Sequence, residues 1–113
     1  MTLDEFDAAC AALPAATMVV QWGGAHVHKV GGKMFAIANL SAGCSFKVSD
    51  IAYEAMTEGG MAKPAPYLAR AKWVAFDDLA DLDGEEVAGW LANAHALVAA
   101  RLTRAVKREL GLG

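Results

Sequence analysis

The chain has 113 residues, 56% of them hydrophobic, and a formal net charge of −3. That length reads as one domain spanning residues 1–113, with enough chain to bury a core without metal or disulfide staples. The acidic balance excludes a strongly basic, histone-like nucleic-acid binder, and no apolar run approaches the ~20 residues a membrane helix requires.

The N-terminal stretch MTLDEFDAACAALP is acidic and lacks the basic region of a secretory signal, so a soluble, cytoplasmic protein is expected. Cys10 and Cys44 lie far apart in the sequence and are expected to be reduced and structural. Thr2 and Glu5 have capping-box spacing, and Leu3, Phe6, Cys10 and Leu13 then recur at helical spacing until Pro14. Thr17 to Trp22 reads as a strand, with Met18, Val20 and Trp22 on one face and Val19 and Gln21 on the other.

Gly23-Gly24 and Gly31-Gly32 are turn signals, and the segments between and after them alternate. Val27 and Lys29 oppose His26, His28 and Val30; Met34, Ala36 and Ala38 oppose Phe35, Ile37 and Asn39. This is an antiparallel meander that needs helices over one face. Asn39 to Gly43 reads as a loop and Ser45 to Val48 as a strand. Ser49 caps a short helix running to about Thr57, stopped by Gly59-Gly60.

Met61 to Ala71 is irregular, because Pro64 and Pro66 forbid a central strand or a helix interior. Lys72 to Phe76 is the last expected strand, with Trp73 and Ala75 opposite Lys72, Val74 and Phe76. Asp83 and Glu86 then open the main core-covering helix, whose stripe is Val87, Trp90, Leu91, Ala94, Val98 and Leu102. Thr103 begins a final helix ending near Leu110. The expected architecture is α+β: an antiparallel sheet of about five strands with covering helices.

The order LPAATMVVQWGGAHVHKVGGKMFAIANL, SFKVS, PAPYLARAKWVAF and a Trp-containing amphipathic helix ending in KREL resembles the MmcQ/YjbR-like family of small bacterial proteins. The most specific parts are Val30-Gly31-Gly32-Lys33-Met34-Phe35-Ala36 and Pro66-Tyr67 with Lys72-Trp73-Val74. The resemblance covers nearly the whole chain. It implies an α+β fold of the secretion-chaperone-like type and a "double wing" DNA-binding motif, and it brings no catalytic residues.

The bases are unevenly spread. Lys29, Lys33, Lys47, Lys63, Arg70 and Lys72 fall in the strand-rich middle, where the only acids are Asp50, Glu54 and Glu58. A positive sheet face is compatible with a negative molecule, against the alternative of scattered, solvated lysines. The segment from Lys63 to Lys72 also carries Arg70 and Tyr67 but no acid. The expected nucleic-acid contacts are therefore Lys29, Lys33, Lys63, Tyr67, Arg70 and Lys72: cations for phosphates and an aromatic ring for stacking. Arg101, Arg104, Lys107 and Arg108 form a second cluster that equally suits a helix C-terminus. Trp22, Trp73 and Trp90 each sit on an apolar stripe and are expected in the core.

His26 and His28 share a strand face and, with His95, have metal-ligand chemistry. Neither a third nor a fourth ligand is placed by the sequence, so hydrogen-bonded surface histidines are the expectation. No nucleophile constellation, phosphate loop or calcium loop is present, and neither cofactor nor metal is expected. The leading expectation is a non-enzymatic DNA-binding protein. The alternative is a protein-interaction module, which would show an exposed apolar patch or an unpaired sheet edge.

Overall fold

The computed structural model describes residues 1–39 and 43–112. Helix α1 (Leu3–Ala11) opens on the expected capping box of Thr2 and Glu5. Strands β1 (Ala16–Gln21), β2 (Ala25–Val30), β3 (Lys33–Ala38) and β4 (Cys44–Lys47) follow. Helix α2 (Asp50–Glu58) starts at Ser49, whose hydroxyl accepts from the Ala52 N–H. Strands β5 (Lys63–Pro64) and β6 (Trp73–Phe76) precede α3 (Gly84–Ala99) and α4 (Arg104–Glu109). Most of the loop read over Asn39 to Gly43 lies outside the described residues.

Among the described residues the sheet has six strands rather than five, in the order β1-β2-β3-β4-β6-β5, and every neighbouring pair is antiparallel. The added strand is the two-residue β5, which pairs Lys63 with Ala75 and Pro64 with Val74. Proline is tolerated there because β5 is an edge strand, where a missing N–H interrupts no central ladder. Two residues are too short for period two to register in a sequence.

One sheet face is covered by helices. Phe6 and Cys10 of α1 and Val87, Leu91, Ala94 and Val98 of α3 pack on Val30, Phe35, Phe46 and Val74. Phe46, Phe76 and Trp90 stack with centroids 5.4 to 5.9 Å apart, so Trp90 does belong to this core. On the opposite, outer face a smaller apolar cluster joins Ala25, Val27, Ile37, Ala65 and Trp73, with Met34 and Leu68 packed against it.

The alternation read along β3 is interrupted. His28 pairs with Ala36 and Lys29 with Met34, so Phe35 is an extra residue opposite one step of β2. Such a bulge resets the phase of the pleat. It turns both Phe35 and Ala36 toward the helices, Phe35 lying 5.3 Å from the His95 ring, and sends Met34 with Ile37 to the outer face. Strict period two had put Met34 and Ile37 on opposite faces.

Strand β1 is an edge strand that the helices leave largely uncovered: Met18, Val19 and Val20 are all exposed. Trp22 is not part of it. Its φ of +50° places it in the left-handed turn leading to Gly23, and it is 67% exposed, so the core position expected for it is corrected. Lys72 likewise is not a strand residue: its φ of +62° makes it the left-handed end of the 3-10 turn Ala69–Ala71.

Candidate functional site

The outer face is built by three connections. The first is the β2–β3 hairpin. Val30 pairs with Lys33 across Gly31 and Gly32, whose φ values of +59° and +78° form the tight turn that matches strand twist. A Cβ on Gly31 would meet the Leu102 side chain at 2.7 Å. The bare glycine therefore lets the segment between α3 and α4 lie on the hairpin tip, which brings Arg101 beside the sheet.

The second connection is the stretch from Ala65 to Lys72. It folds back on β6 through hydrogen bonds from Ala65 N–H to Trp73 O (3.0 Å) and from Trp73 N–H to Leu68 O (3.2 Å). Ala65 and Leu68 thus cover part of the outer face. Tyr67 between them is thrown fully into solvent at a φ of +66°. A non-glycine residue held in that region carries strain that the surrounding structure must impose. The third connection is the β1–β2 turn that presents Trp22.

Beside these connections lie two hollows that adjoin at Met34 and Leu68, which line both. One, of about 440 Å³, opens at the end of the sheet where the outer face meets the C-terminal end of α3, and is lined by Lys33, Lys47, Trp73, Val98 and Arg101, with no Asp or Glu among its described lining residues. Lys47 is only 8% exposed, and its Nζ donates to Ala71 O at 2.6 Å. Burial lowers the Lys47 pKa from its ordinary value and the charge of Arg101 lowers it further, with Asp50 opposing. The two cations are close enough to repel. The other hollow, of about 420 Å³, is an apolar groove lined by Trp22, Ile37, Pro66 and Tyr67, with Asn39 and Ser45 as polar neighbours.

The structure divides the six residues expected to touch nucleic acid. Lys33 and Tyr67 line the two hollows. Lys29 is on the same outer face, paired in register with Met34. Lys63 is elsewhere and is matched by Asp77 at 2.7 Å, an exposed pair. Lys72 places its ammonium 4.9 Å from the Tyr53 ring centre, a cation–π contact beside α2. Arg70 is exposed on the 3-10 turn and lines neither hollow.

Lys47, Arg101 and Trp22 were missed as site residues. The outward phase of β4 was a usable signal for Lys47, since Lys47 pairs with Trp73. Arg101 was grouped with the C-terminal bases, and only the packing of Leu102 on Gly31 separates it from them. Lys107, by contrast, donates to Ala100 O at 3.2 Å, a helix-end role.

The histidines are hydrogen-bonded as expected, but His28 and His95 are buried against the helices rather than at the surface. Asp7 of α1 accepts from His26 Nδ1 at 2.7 Å and from His28 Nε2 at 2.8 Å, pinning α1 to β2. His95 donates to Pro14 O at 2.7 Å instead of joining them. Among the described residues no group of three or more His, Cys, Asp or Glu side chains is placed to hold a metal ion. Cys10 and Cys44 are free thiols in the core, and burial raises both pKa values, that of Cys44 to about 12. They are thiols rather than thiolates at neutral pH, and so poor nucleophiles.

Comparison with known proteins fits this architecture. The family model described as YjbR matches residues 11–97. The crystal structure of Deinococcus radiodurans protein DR2400, described with the family-model domain DUF419, superposes with a TM-score of 0.85 at 24% identity. That match covers 99% of this chain and 89% of that one. No curated protein matches the sequence.

Proposed function

This chain belongs to the YjbR family, and we propose that its outer sheet face binds nucleic acid. The observation that carries the reading is the convergence of Lys33, Lys47 and Arg101 on one hollow whose described lining residues include no carboxylate. In a molecule of net charge −3, that is a local reversal of sign. Cations so grouped attract phosphate and hold it through charge-assisted hydrogen bonds. The adjoining groove offers Tyr67 and Trp22 as stacking surfaces for bases, which supplies affinity with little sequence preference. A cytoplasmic location agrees with the two reduced core thiols. Among the described residues no helix is long and apolar enough to cross a membrane.

The test is fluorescence anisotropy of labelled single- and double-stranded DNA at low and physiological salt. Three phosphate contacts predict a slope of roughly −2 in log affinity against log salt for a single strand. A Lys33→Ala/Arg101→Ala variant should lose most of that slope, and Lys63→Ala should keep it. Absence of binding at low salt, where electrostatic attraction is strongest, would overturn the reading.

A second reading has its own support. Edge strand β1 presents Met18, Val19 and Val20 to solvent beside the exposed Trp22. An open apolar edge is a template on which an extended segment of another protein can add a strand. That suits a chaperone-like interaction module of the secretion-chaperone type. A Val19→Lys substitution would block such pairing and leave the cationic hollow intact, so loss of a protein partner with retention of DNA binding would favour this reading.

A further inference from the structure

We propose that the two contiguous hollows form one site for a nucleotide with a terminal phosphomonoester, its phosphate among Lys33, Lys47 and Arg101 and its base between Trp22 and Tyr67. The inference rests on the nucleic-acid reading above and narrows it from a charged surface to a defined unit. A nucleotide has two unlike ends joined by a sugar, one a compact anion and the other a flat heteroaromatic ring. The outer face has the same two ends in contact. Lys33, Lys47 and Arg101 line one hollow, Trp22, Ile37, Pro66 and Tyr67 the other, and Met34 and Leu68 belong to both.

The charge count selects the phosphate. A phosphodiester inside a strand carries one negative charge, whereas a phosphomonoester carries nearly two at neutral pH. Three cations with no acid among the described lining residues match the dianion better. Lys47 is the informative member. It is 8% exposed and anchored by Ala71 O, which fixes its direction and leaves further ammonium protons to donate. Holding that charge under the fold next to Arg101 is unfavourable, and burial and Arg101 both weaken the ammonium. A dianion set between the two changes repulsion into attraction.

The aromatic end is also held at a cost. Trp22 and Tyr67 are both in left-handed backbone, at φ +50° and +66°, and both are exposed. Each turn projects a large ring over the groove from a different connection, and Ile37 and Met34 form the apolar lining between them. Asn39 and Ser45 stand at this groove and can hydrogen-bond the edge of a base. A base pair within a duplex has its faces stacked on its neighbours, so the site takes an unpaired base: the end of a single strand or a free mononucleotide.

The experiment separates those two sources and tests the site. Single-stranded oligothymidylates of roughly ten nucleotides, within the range one small domain covers, carry an internal label and have a 5′-phosphate, a 3′-phosphate or hydroxyl ends. Their affinities are compared by anisotropy, and adenosine 5′-monophosphate, adenosine and inorganic phosphate are tested by calorimetry on the full chain. One phosphorylated oligonucleotide is expected to bind at least about tenfold tighter than the hydroxyl form, as a second charge at a cationic site should provide. Arg101→Ala, Lys33→Ala and Lys47→Met should each reduce that difference. The first two alter exposed side chains, so the test survives if Lys47→Met fails to fold. Tyr67→Gly should weaken adenosine 5′-monophosphate and leave inorganic phosphate unchanged.

Equal binding of all three oligonucleotides would overturn the terminal-phosphate inference and leave the broader nucleic-acid reading standing. Binding of the mononucleotide but of no oligonucleotide would support the site, assign it to free nucleotides and end the broader reading. Binding of inorganic phosphate as tight as the mononucleotide, untouched by Tyr67→Gly, would mean that the groove reads no base and would overturn the inference. No binding of any probe would overturn both.

Discussion

Tyr67 concentrates the argument at the scale of one residue. It is fully exposed, so its ring contributes little burial, and its φ of +66° costs about 1–2 kcal/mol relative to a glycine there. The substitution Tyr67→Gly is therefore expected to leave stability unchanged or raise it by about 1 kcal/mol in urea denaturation, while weakening nucleotide binding. A ring that served packing would give the opposite sign on stability.

His28 makes a pH prediction. Burial lowers its pKa below the ordinary 6.5. The unfolded chain therefore takes up the proton first as pH falls, and the folded state loses stability from about pH 6.5 downward until the lowered value is passed. Denaturation at pH 7, 6 and 5 should show that decline, and His28→Gln should flatten it. His28→Leu should cost about 1–3 kcal/mol at pH 7, because one Asp7 oxygen then loses its 2.8 Å partner. A wild-type profile that is level or rising toward pH 5 would contradict the assignment.

At the scale of elements, the hairpin at Gly31 and the start of α4 act together. Gly31→Ala adds both left-handed strain and a 2.7 Å collision with Leu102, whereas Gly32→Ala adds strain alone, since nothing lies within 4 Å of its Cβ. The first is expected to be the more destabilising by about 1–3 kcal/mol. It should also reduce phosphate affinity by moving Arg101, while Gly32→Ala should leave affinity near wild type. Equal effects would mean that the hairpin does not position Arg101.

The elements themselves were largely legible. The turn glycines, the capping box, the Ser49 and Asp83 caps and the helical stripes are local signals, and they set the α+β order correctly. The failures share a cause. Phe35 and Met34 were assigned by strict alternation, and a bulge is one residue with no signature of its own. Trp22 looked like a strand residue because its neighbours are β-branched, yet the turn claims it. Lys72 was read into β6 because it continues the alternation of Val74 and Phe76, yet the 3-10 turn claims it. For the site, Lys33 and Tyr67 were legible as a base and an aromatic on strand and loop. Arg101 was not, since its place depends on a contact between distant segments.

At the scale of the molecule, a net charge of −3 and a cationic face coexist because acids and bases segregate. Asp77, Asp78, Asp81, Asp83 and Glu86 gather around Phe76 and Trp90, while the outer hollow collects Lys33, Lys47 and Arg101. An anionic polymer approaching this protein is repelled by one region and drawn to another, which orients it before contact. The exposed edge of β1 borders the sheet that carries the cationic face, so a protein strand added there would extend that sheet.

The most direct test of the central claim is a ¹H–¹⁵N NMR titration of the full chain with a 5′-phosphorylated single-stranded oligonucleotide. The account predicts shifts concentrated at Lys33, Met34, Lys47, Trp73 and Arg101, continuing to Trp22 and Tyr67, with Lys63 and the acidic turn at Asp81 unmoved. Shifts centred on Lys63 and α2, or on the C-terminal bases beyond Arg101, would contradict it.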